Sequence, residues 1–375
     1  MDFPIIAHCH LRWDFVWQRP QHILSRLAAH HRILVLEEPL YEPGKPQLRI
    51  SEPRAGIIRA IPILPERGSP ETEGAQVLPL LRAALARHPL LAGLFDSPVQ
   101  WFYSPMTAPE YAGQLGEIGI VYDCMDELAN FRFAPPDIAE REAFLLSQAD
   151  VVFTGGWQLY ESKSRRHRNA HFFGCGVDVE HFGKARIATT PAAALEALPK
   201  PVLGYFGVID ERLDYELIAE LAKAFPEGSI AMVGPLAKVE REQLPAEANI
   251  HWLGQRSYDE LPALVKGFDV CLMPFALNEA TRFINPTKTL EYMAAGKPIV
   301  STAVPDVVRH FTPIVDVAQS PAEFVEAVRR AVVGPRTEAI AQGLQCAAGN
   351  SWDAIVATMR GHMIQAVKSG AKLAA

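Results

Sequence analysis

The sequence predicts an α/β protein built from two doubly wound, Rossmann-like domains, and two observations support this. Short apolar runs such as Pro4–His8 and Ile33–Leu36 alternate with helix-patterned segments, which is the order of a parallel sheet with crossover helices. The order restarts at Val202–Phe206, after Ala188–Pro201, which is rich in proline and alanine and typical of a linker. We therefore expect one domain over residues 1–190 and a second over residues 191–350.

Composition limits the classes of protein to consider. A chain of 375 residues is long enough for two cores, and 49% hydrophobic with 21% charged residues is ordinary for a globular protein. The formal net charge of -7, with no basic block, argues against a nucleic-acid-binding protein. No apolar run reaches about 18 residues, so we expect no transmembrane helix, and the short lead into the first strand argues against a signal peptide.

The cysteines are scattered along the chain and form no C-x-x-C motif. They are Cys9, Cys124, Cys175, Cys271 and Cys346. This usage is typical of buried thiols in a reducing cytoplasm, not of a disulfide framework or a zinc site.

The stretch from Asn285 to Ser301 predicts a helix followed by a buried strand. Asn285 is a good helix cap, and Gly296 is typical of a helix end. Such a helix would begin at a strand edge, where helix starts bind anions. Lys288 would add positive charge for a diphosphate, and Glu291, one turn on, could accept hydrogen bonds from a ribose. The alternative is that Lys288 and Glu291 form a solvated surface pair.

The loop after the first strand, residues 10–22, is rich in aromatic and basic side chains. In a doubly wound domain this loop lies at the carboxyl ends of the strands, where ligands bind. Tryptophan rings stack on sugars, and arginine forks bind phosphates. The candidate substrate-binding residues of this loop are Arg12, Trp17, Arg19 and His22. The alternative for Trp13 and Trp17 is that they only fill the underside of the domain.

Three carboxylates follow the predicted strand Ile118–Tyr122, at Asp123, Asp126 and Glu127. The carboxyl end of a parallel strand is where chemistry is usually done. We choose Asp126, with Asp123, as candidate catalytic residues. Asp123 as a cap of the next turn and Glu127 as a solvated residue are the alternatives.

In the second domain, Gly207 follows the first strand and could let the backbone approach a ligand, and Arg212 could reach a diphosphate. Glu279 and Arg282, in the loop before the central helix, are candidate contacts to a donor sugar, with solvent exposure as the alternative. No G-x-G-x-x-G motif follows either first strand, which argues against a nicotinamide enzyme.

Two other segments carry structural expectations. Pro65–Pro79 is expected to be a mobile loop, followed by a helix over Leu80–Leu94. A last helix is expected over about residues 351–367.

Two strings resemble a known family. NPTKTLEYMAAGKPIVS, residues 285–301, resembles the nucleotide-sugar-binding signature of GT-B glycosyltransferases of the group 1, family-four type. In that family two glutamates flank the donor. Glu291 matches the second, which holds the ribose, whereas Phe283 stands where the first would fall. WDFVWQRPQH, residues 13–22, is similar to the opening of glycosyltransferases of cell-surface polysaccharide clusters, including the teichuronic acid type.

The resemblance implies a GT-B fold, with two domains facing a cleft and the last helix crossing back to the first domain. It implies that Gly207, Arg212, Asn285, Thr287, Lys288 and Glu291 bind the donor. The implied reaction is transfer of a hexosyl group, with retention, from a nucleoside diphosphate sugar to a glycan or lipid-linked glycan. A UDP-sugar is favoured, and neither a cofactor nor a metal is expected.

The implied location is the cytoplasm, with contact at the inner face of the membrane left open. If the enzyme inverts instead, Asp126 is the natural general base. The alternatives are a non-hydrolysing nucleotide-sugar epimerase and a degenerate, non-catalytic GT-B subunit.

Overall fold

The computed structural model describes residues 3–187, 190–334 and 336–373. The chain divides into two compact units. Unit 1 comprises residues up to Gly174 together with the chain from Asp353, and unit 2 runs from Cys175 to Trp352. The α/β class with two parallel-sheet domains is confirmed.

Unit 1 is built on one sheet with the strand order β3-β5-β2-β1-β6-β7-β8-β9, to which β4 adds by antiparallel pairing with β5. All other pairs are parallel. The strands are β1 (Ile5–Cys9), β2 (Ile33–Glu37), β3 (Leu40–Tyr41), β4 (Gln47–Arg54), β5 (Ile57–Leu64), β6 (Val99–Phe102), β7 (Gly119–Cys124), β8 (Val151–Thr154) and β9 (Ala170–Phe172).

Helices cover this sheet, as parallel strands require. The helices are α1 (Arg19–Leu27), α2 (Pro70–Arg87), α3 (Ala108–Tyr111), α4 (Ile138–Gln148) and α5 (Trp157–Lys163). Every residue of β1, β2 and β6 is buried, which explains why their apolar runs do not alternate. Strands β2 and β6 pair with opposite sides of β1. The strand order therefore reverses between β1 and β6.

Unit 2 has a parallel sheet with the order β12-β11-β10-β13-β14-β15. The strands are β10 (Val202–Phe206), β11 (Ser229–Val233), β12 (Ile250–Trp252), β13 (Val270–Met273), β14 (Ile299–Thr302) and β15 (Asp316–Ala318). The helices are α6 (Val179–Gly183), α7 (Ala193–Glu196), α8 (Tyr215–Ala224), α9 (Leu261–Gly267), α10 (Lys288–Ala294), α11 (Pro305–Phe311), α12 (Pro321–Val333) and α13 (Thr337–Gly349). The order reverses between β10 and β13, which places the candidate ligand edge of this unit there.

The division between the units lies before the boundary that the sequence predicts near residue 190. Val177 and Phe182 are buried in the hydrophobic core of unit 2, so the segment that precedes the linker already packs with the second unit. The predicted linker contains the short helix α7, and residues 188 and 189 lie outside the described residues.

The expectation of a mobile loop over Pro65–Pro79 is wrong, because helix α2 begins at Pro70. Ser69 caps it by accepting a hydrogen bond from the Thr72 amide at 3.3 Å, and Glu71 lies in the first turn, where acidic side chains favour a helix start. Pro79 lies inside the helix. The expected helix over Leu80–Leu94 is the second half of α2, ending at Arg87.

The last helix, α14 (Trp352–Leu373), packs on unit 1 from Asp353 onward. Arg26 on α1 forms an ion pair with Asp353 at 2.9 Å, and the Arg360 guanidinium donates to the His31 ring at 2.9 Å. Within the described part of the chain, no helix combines the length and apolar character needed to cross a membrane.

Candidate active site

The edge of the unit 2 sheet is shaped by two glycines with positive φ. Gly207 follows β10 with φ +143°, and Gly234 follows β11 with φ +152°. A Cβ on Gly207 would lie 2.1 Å from Lys288 Cε and 2.5 Å from its Nζ, and a Cβ on Gly234 would lie 1.8 Å from the Gly207 carbonyl oxygen. The glycines therefore let the Lys288 ammonium lie directly on the backbone after β10.

Lys288 and Glu291 occupy the first turn of α10, in which Lys288 is half-buried and the remaining residues are buried. Glu291 is only 6% exposed, and its side chain forms no hydrogen bond with the other described residues. Burial raises the pKa of the Glu291 carboxyl, and nearby Lys288 opposes that shift. Burial likewise lowers the pKa of Lys288, and Glu291 opposes the shift. The alternative of a solvated surface pair is therefore wrong.

The Lys288 ammonium also lies 5.3 Å from the centre of the Tyr205 ring, within range of a cation–π interaction. Tyr205 is fully buried on β10. The position of Lys288 is thus fixed by the ring on one side and the Gly207 backbone on the other.

Arg212, in the loop after β10, is held by Asp210. Its Nε lies 3.0 Å from both carboxylate oxygens of Asp210, and one terminal nitrogen lies 2.6 Å from Oδ2. Asp210 is 8% exposed. The guanidinium is therefore oriented before any ligand arrives, and its charge, together with that of Asp210, acts on Lys288.

The expectation that Asn285 caps the central helix is wrong. The helix begins at Lys288 with Thr287 as its N-cap residue and no side-chain cap. The Asn285 amide instead donates to Asp306 on α11 at 3.0 Å. The Thr287 hydroxyl donates to Cys175 Sγ at 3.1 Å, and that thiol lies 3.1 Å from the Asn285 carbonyl oxygen. Asn285 and Thr287 thus tie the helix start to the beginning of unit 2.

Glu279 and Arg282 lie in the loop before α10, at the same edge of the sheet. Their side chains are 74% and 57% exposed and form a loose ion pair at 3.7 Å. Arg282 also lies over the ring of Phe283, 5.6 Å from its centre. Both side chains are therefore exposed to solvent, as the alternative interpretation stated. Their contact to a donor sugar stays a prediction.

In unit 1, Asp123 is fully buried at the end of β7, in an ion pair with Arg19. The Arg19 Nε donates to the two carboxylate oxygens at 3.0 and 3.2 Å, and its NH1 donates to the Phe173 carbonyl oxygen at 2.8 Å. Burial raises the pKa of the Asp123 carboxyl, and Arg19 opposes this shift. These contacts join α1, β7 and the segment after β9. Holding these segments together is a structural role that explains why Arg19 and Asp123 are buried.

Of the other two carboxylates at this strand end, Glu127 forms an ion pair with buried Lys163 at 2.8 Å. Asp126 is half-buried, and its carbonyl oxygen lies 3.5 Å from Cys124 Sγ. The catalytic role predicted for Asp126 stays a prediction.

The loop after β1 is built into the interior of unit 1. Arg12 NH1 pairs with Glu37 at 3.1 Å, and its NH2 donates to the Pro39 carbonyl oxygen at 3.0 Å. Trp17 donates to the ring of His22, which is 1% exposed, at 3.3 Å. The structure thus gives Arg12 and His22 packing roles and leaves Trp17 half-buried.

A cavity of about 470 Å³ lies in unit 1 at the carboxyl ends of β1, β2 and β6. The sequence prediction missed most of its polar walls, which come from segments far apart in the chain. They include His8, Glu37, Tyr41, Arg67, Glu73 and Ser104. The only available signal was topological, because β1 and β6 are neighbours at which the strand order reverses.

Among the residues that the structure describes, no three His, Cys, Asp or Glu side chains lie together in a way that could hold a metal ion.

The chain is similar to known proteins in sequence. The family profile described as "Glycosyl transferases group 1" matches residues 200–333. A stretch of 202 residues is 27% identical to the putative teichuronic acid biosynthesis glycosyltransferase TuaH of Bacillus subtilis (strain 168). This match spans 50% of this chain and about half, 51%, of that relative.

The fold is similar to that of several solved structures across nearly the whole chain. Sucrose-phosphate synthase from Thermosynechococcus elongatus superposes with a TM-score of 0.72 at 16% identity, covering 98% of this chain and 100% of that one. The structure described as "Trehalose-6-phosphate from E. coli bound with UDP-2-fluoro glucose" gives 0.68 at 16% identity, with 96% and 98% covered. The α,α-trehalose 6-phosphate synthase from Burkholderia multivorans gives 0.69 at 15% identity, with both chains fully covered. At these identities the likeness concerns the fold, which is that of GT-B glycosyltransferases.

Proposed function

We propose, from the group 1 glycosyltransferase domain that the chain carries at residues 200–333, that this protein transfers a sugar from a nucleoside diphosphate sugar to a hydroxyl group of a glycan or lipid-linked glycan in cell-surface polysaccharide synthesis. The similarity to a teichuronic acid glycosyltransferase supports the polysaccharide context. The donor would bind unit 2 and the acceptor unit 1.

The observation that carries this proposal is the buried carboxyl of Glu291, one helical turn from Lys288, whose ammonium lies against Gly207. A buried carboxylate without hydrogen bonds is costly for a folded protein. A ribose would supply donors to Glu291, and a diphosphate would supply the negative charge that Lys288 faces. A nucleoside diphosphate carries both groups.

The chemistry asked of this site is mainly electrostatic. As the bond between the sugar and the diphosphate breaks, negative charge grows on the leaving phosphate oxygens. Lys288 and the Arg212 guanidinium, which Asp210 already orients, would stabilise that charge without rearranging. We expect no metal ion to be needed, because these cations would supply the charge.

The reaction would proceed with retention, as the group 1 resemblance implies, and a UDP-sugar is the favoured donor. Asp126 would contact the reacting sugar or the acceptor hydroxyl. A lipid-linked acceptor would place the reaction at the inner face of the membrane.

The acceptor would enter the cavity of unit 1. Its walls contain the carboxylates of Glu37, Glu38, Glu73 and Asp137 and the guanidinium of Arg67. Glu37 pairs with Arg12 and Asp137 with Arg141, which leaves Glu38 and Glu73 against Arg67. This excess of negative charge favours an uncharged, hydroxyl-rich acceptor end over a phosphorylated or carboxylated one.

The test is a thermal-shift series with the diphosphates of uridine, guanosine, adenosine and thymidine. Binding to the folded state must raise the melting temperature. We expect a shift with one nucleotide, UDP, that Glu291→Gln reduces strongly while keeping the shape of the side chain. Glu242→Gln, on an exposed residue of unit 2, is the matched control and should keep the full shift.

Absence of a shift with every nucleotide would refute the donor site and favour a degenerate subunit. If UDP binds, incubating a UDP-sugar without acceptor separates the remaining functions. An epimerase would convert the donor alone, whereas a transferase would leave it largely intact until a glycan is added.

A further inference from the structure

Unit 2 contains a second cavity, of about 490 Å³, that is separate from the candidate donor site. It lies at the amino end of β14, among α10, α12 and α13. Ile299 begins β14 at the cavity, whereas Thr302 ends the strand at the opposite edge. Because parallel strands in this sheet point the same way, the cavity and Gly207 lie at opposite edges of it.

The inner walls of this cavity are apolar. They comprise Met293, Ile299, Ile314, Ala331, Ala339 and Ile340. A volume of about 490 Å³ falls within the range of about 300–1,000 Å³ that is typical of small-molecule pockets. Nothing in the proposed transfer reaction uses this space.

The charged residues of the cavity are mostly cationic. Four of them are basic, Lys297, Arg329, Arg330 and Arg336, and two are acidic, Asp316 and Glu326. Arg336 pairs with Asp316 at 2.9 Å, which removes one charge of each sign. The remaining walls therefore carry a net positive charge.

Arg330 is the basic residue best placed to meet a ligand. It is exposed and forms no ion pair with the other described residues. Its neighbours are committed to the protein, since Arg329 donates to the Ala224 carbonyl oxygen at 3.1 Å and Lys297 to the carbonyl oxygens of Lys266 and Phe268 at 2.9 and 2.7 Å. Val333, also a lining residue, is 90% exposed and extends the apolar surface outward.

We propose that this cavity binds a single-chain anionic amphiphile, with the hydrocarbon chain inside and a phosphate or carboxylate head at Arg330. The apolar walls explain the chain, and the excess of guanidinium groups explains the anionic head. The ligand enters as a monomer, and the cavity is not a surface for docking onto a bilayer.

The test uses the full chain and alkyl phosphates below their critical micelle concentrations, with binding followed by isothermal titration calorimetry. Dodecyl phosphate should bind saturably with one site per chain. Because each buried CH₂ group contributes about a fourfold gain in affinity at most, decyl phosphate should bind on the order of tenfold more weakly. Dodecyl maltoside, which has the same chain and no charge, should bind more weakly than dodecyl phosphate.

Two variants address the two parts of the proposal. Ala339→Trp fills the cavity from a half-buried position and should abolish binding, and Arg330→Gln should weaken it about tenfold. Arg241→Gln, on another exposed arginine of unit 2, is the matched control and should have no effect. Melting temperatures and UDP-induced shifts equal to those of the wild type would show that the variants are folded. If UDP binds to none of the proteins, the melting temperatures alone provide this control.

Dodecyl phosphate that fails to bind saturably, or that binds Ala339→Trp as well as the wild type, overturns the proposal. Equal affinity for dodecyl maltoside, or an Arg330→Gln variant that binds normally, refutes the anionic head. Binding only to anionic phospholipid vesicles, with no monomer binding, would show a membrane-docking surface instead. None of these results depends on whether the donor site binds a nucleotide.

Discussion

Gly207→Ala is the substitution whose effect follows most directly from the geometry of the donor site. At φ +143° an L-residue is strained, which costs about 1–3 kcal/mol. The new methyl group would also lie 2.1 Å from Lys288 Cε and 2.5 Å from Nζ, so Lys288 must move away. The clash falls on the flexible end of the Lys288 side chain, so relieving it adds little to the cost of the strain, and we expect a total loss of stability of about 2–4 kcal/mol.

The displaced ammonium should also weaken nucleotide binding. A hydrogen bond to a charged group contributes about 1.5–3 kcal/mol, so loss of the Lys288 contact to a diphosphate should raise the Kd for UDP about 10- to 100-fold. Urea unfolding measures the first effect, and calorimetric titration of UDP at a temperature where the variant is folded measures the second.

Gly44 provides the matched control, because its φ is +140° and a Cβ there would meet nothing within 4 Å. Gly44→Ala introduces the same backbone strain without a clash. It should lose at most about 1–3 kcal/mol and keep full affinity for UDP. If Gly207→Ala lost no more stability than Gly44→Ala and bound UDP within twofold of the wild type, the position of Lys288 on the Gly207 backbone would not matter to the ligand, and the reasoning would fail.

Three further predictions follow from the buried charges. Asp123→Asn should destabilise unit 1 by about 3–5 kcal/mol in urea unfolding, because it leaves the Arg19 guanidinium buried without its counter-charge; a loss below 1 kcal/mol would contradict this. Burial lowers the pKa of His8 from 6.5 to about 4, so between these values the unfolded chain binds more protons and stability falls as the pH drops. His8→Gln should therefore flatten the pH dependence of unfolding between pH 4 and 6.5, and an unchanged slope would refute it. Asp210→Asn should raise the Kd for UDP severalfold by releasing the preoriented Arg212 guanidinium, whereas tighter binding would show that Asp210 only competes with the phosphate.

The sequence was sufficient to predict the fold because most strands are buried on both faces and carry continuous apolar runs. The predicted strand Val202–Phe206 has the bounds that the sequence indicated, and Ile33–Leu36 is one residue shorter than β2. Gly207 and Glu291 lie at one edge of the sheet of unit 2, as the order of elements indicated.

The errors arose where local signals competed. The proline-rich composition of residues 65–79 suggested a loop, although Ser69 caps a helix there and the acidic first turn stabilises it. Asn285 is a good cap by residue type, yet its amide is used by Asp306, a partner that no local pattern reveals. The walls of the unit 1 cavity depend on contacts between distant segments, and single-sequence patterns do not contain that information.

Glu291 differs from other buried charges among the described residues, such as Arg19 and Lys163, and the difference supports the proposed donor site. Arg19 with Asp123, and Lys163 with Glu127, are buried with hydrogen-bonded counter-charges from distant segments, so the fold itself explains them. Glu291 is buried with only the opposing charge of Lys288 nearby and no hydrogen bond to the other described residues. Folding alone gives no reason to keep such a carboxylate, because a residue like leucine would be more stable there. A ligand with hydroxyl donors gives that reason. The burial of Glu291 without hydrogen bonds is therefore stronger support for a nucleotide-sugar site than its place in a sequence motif.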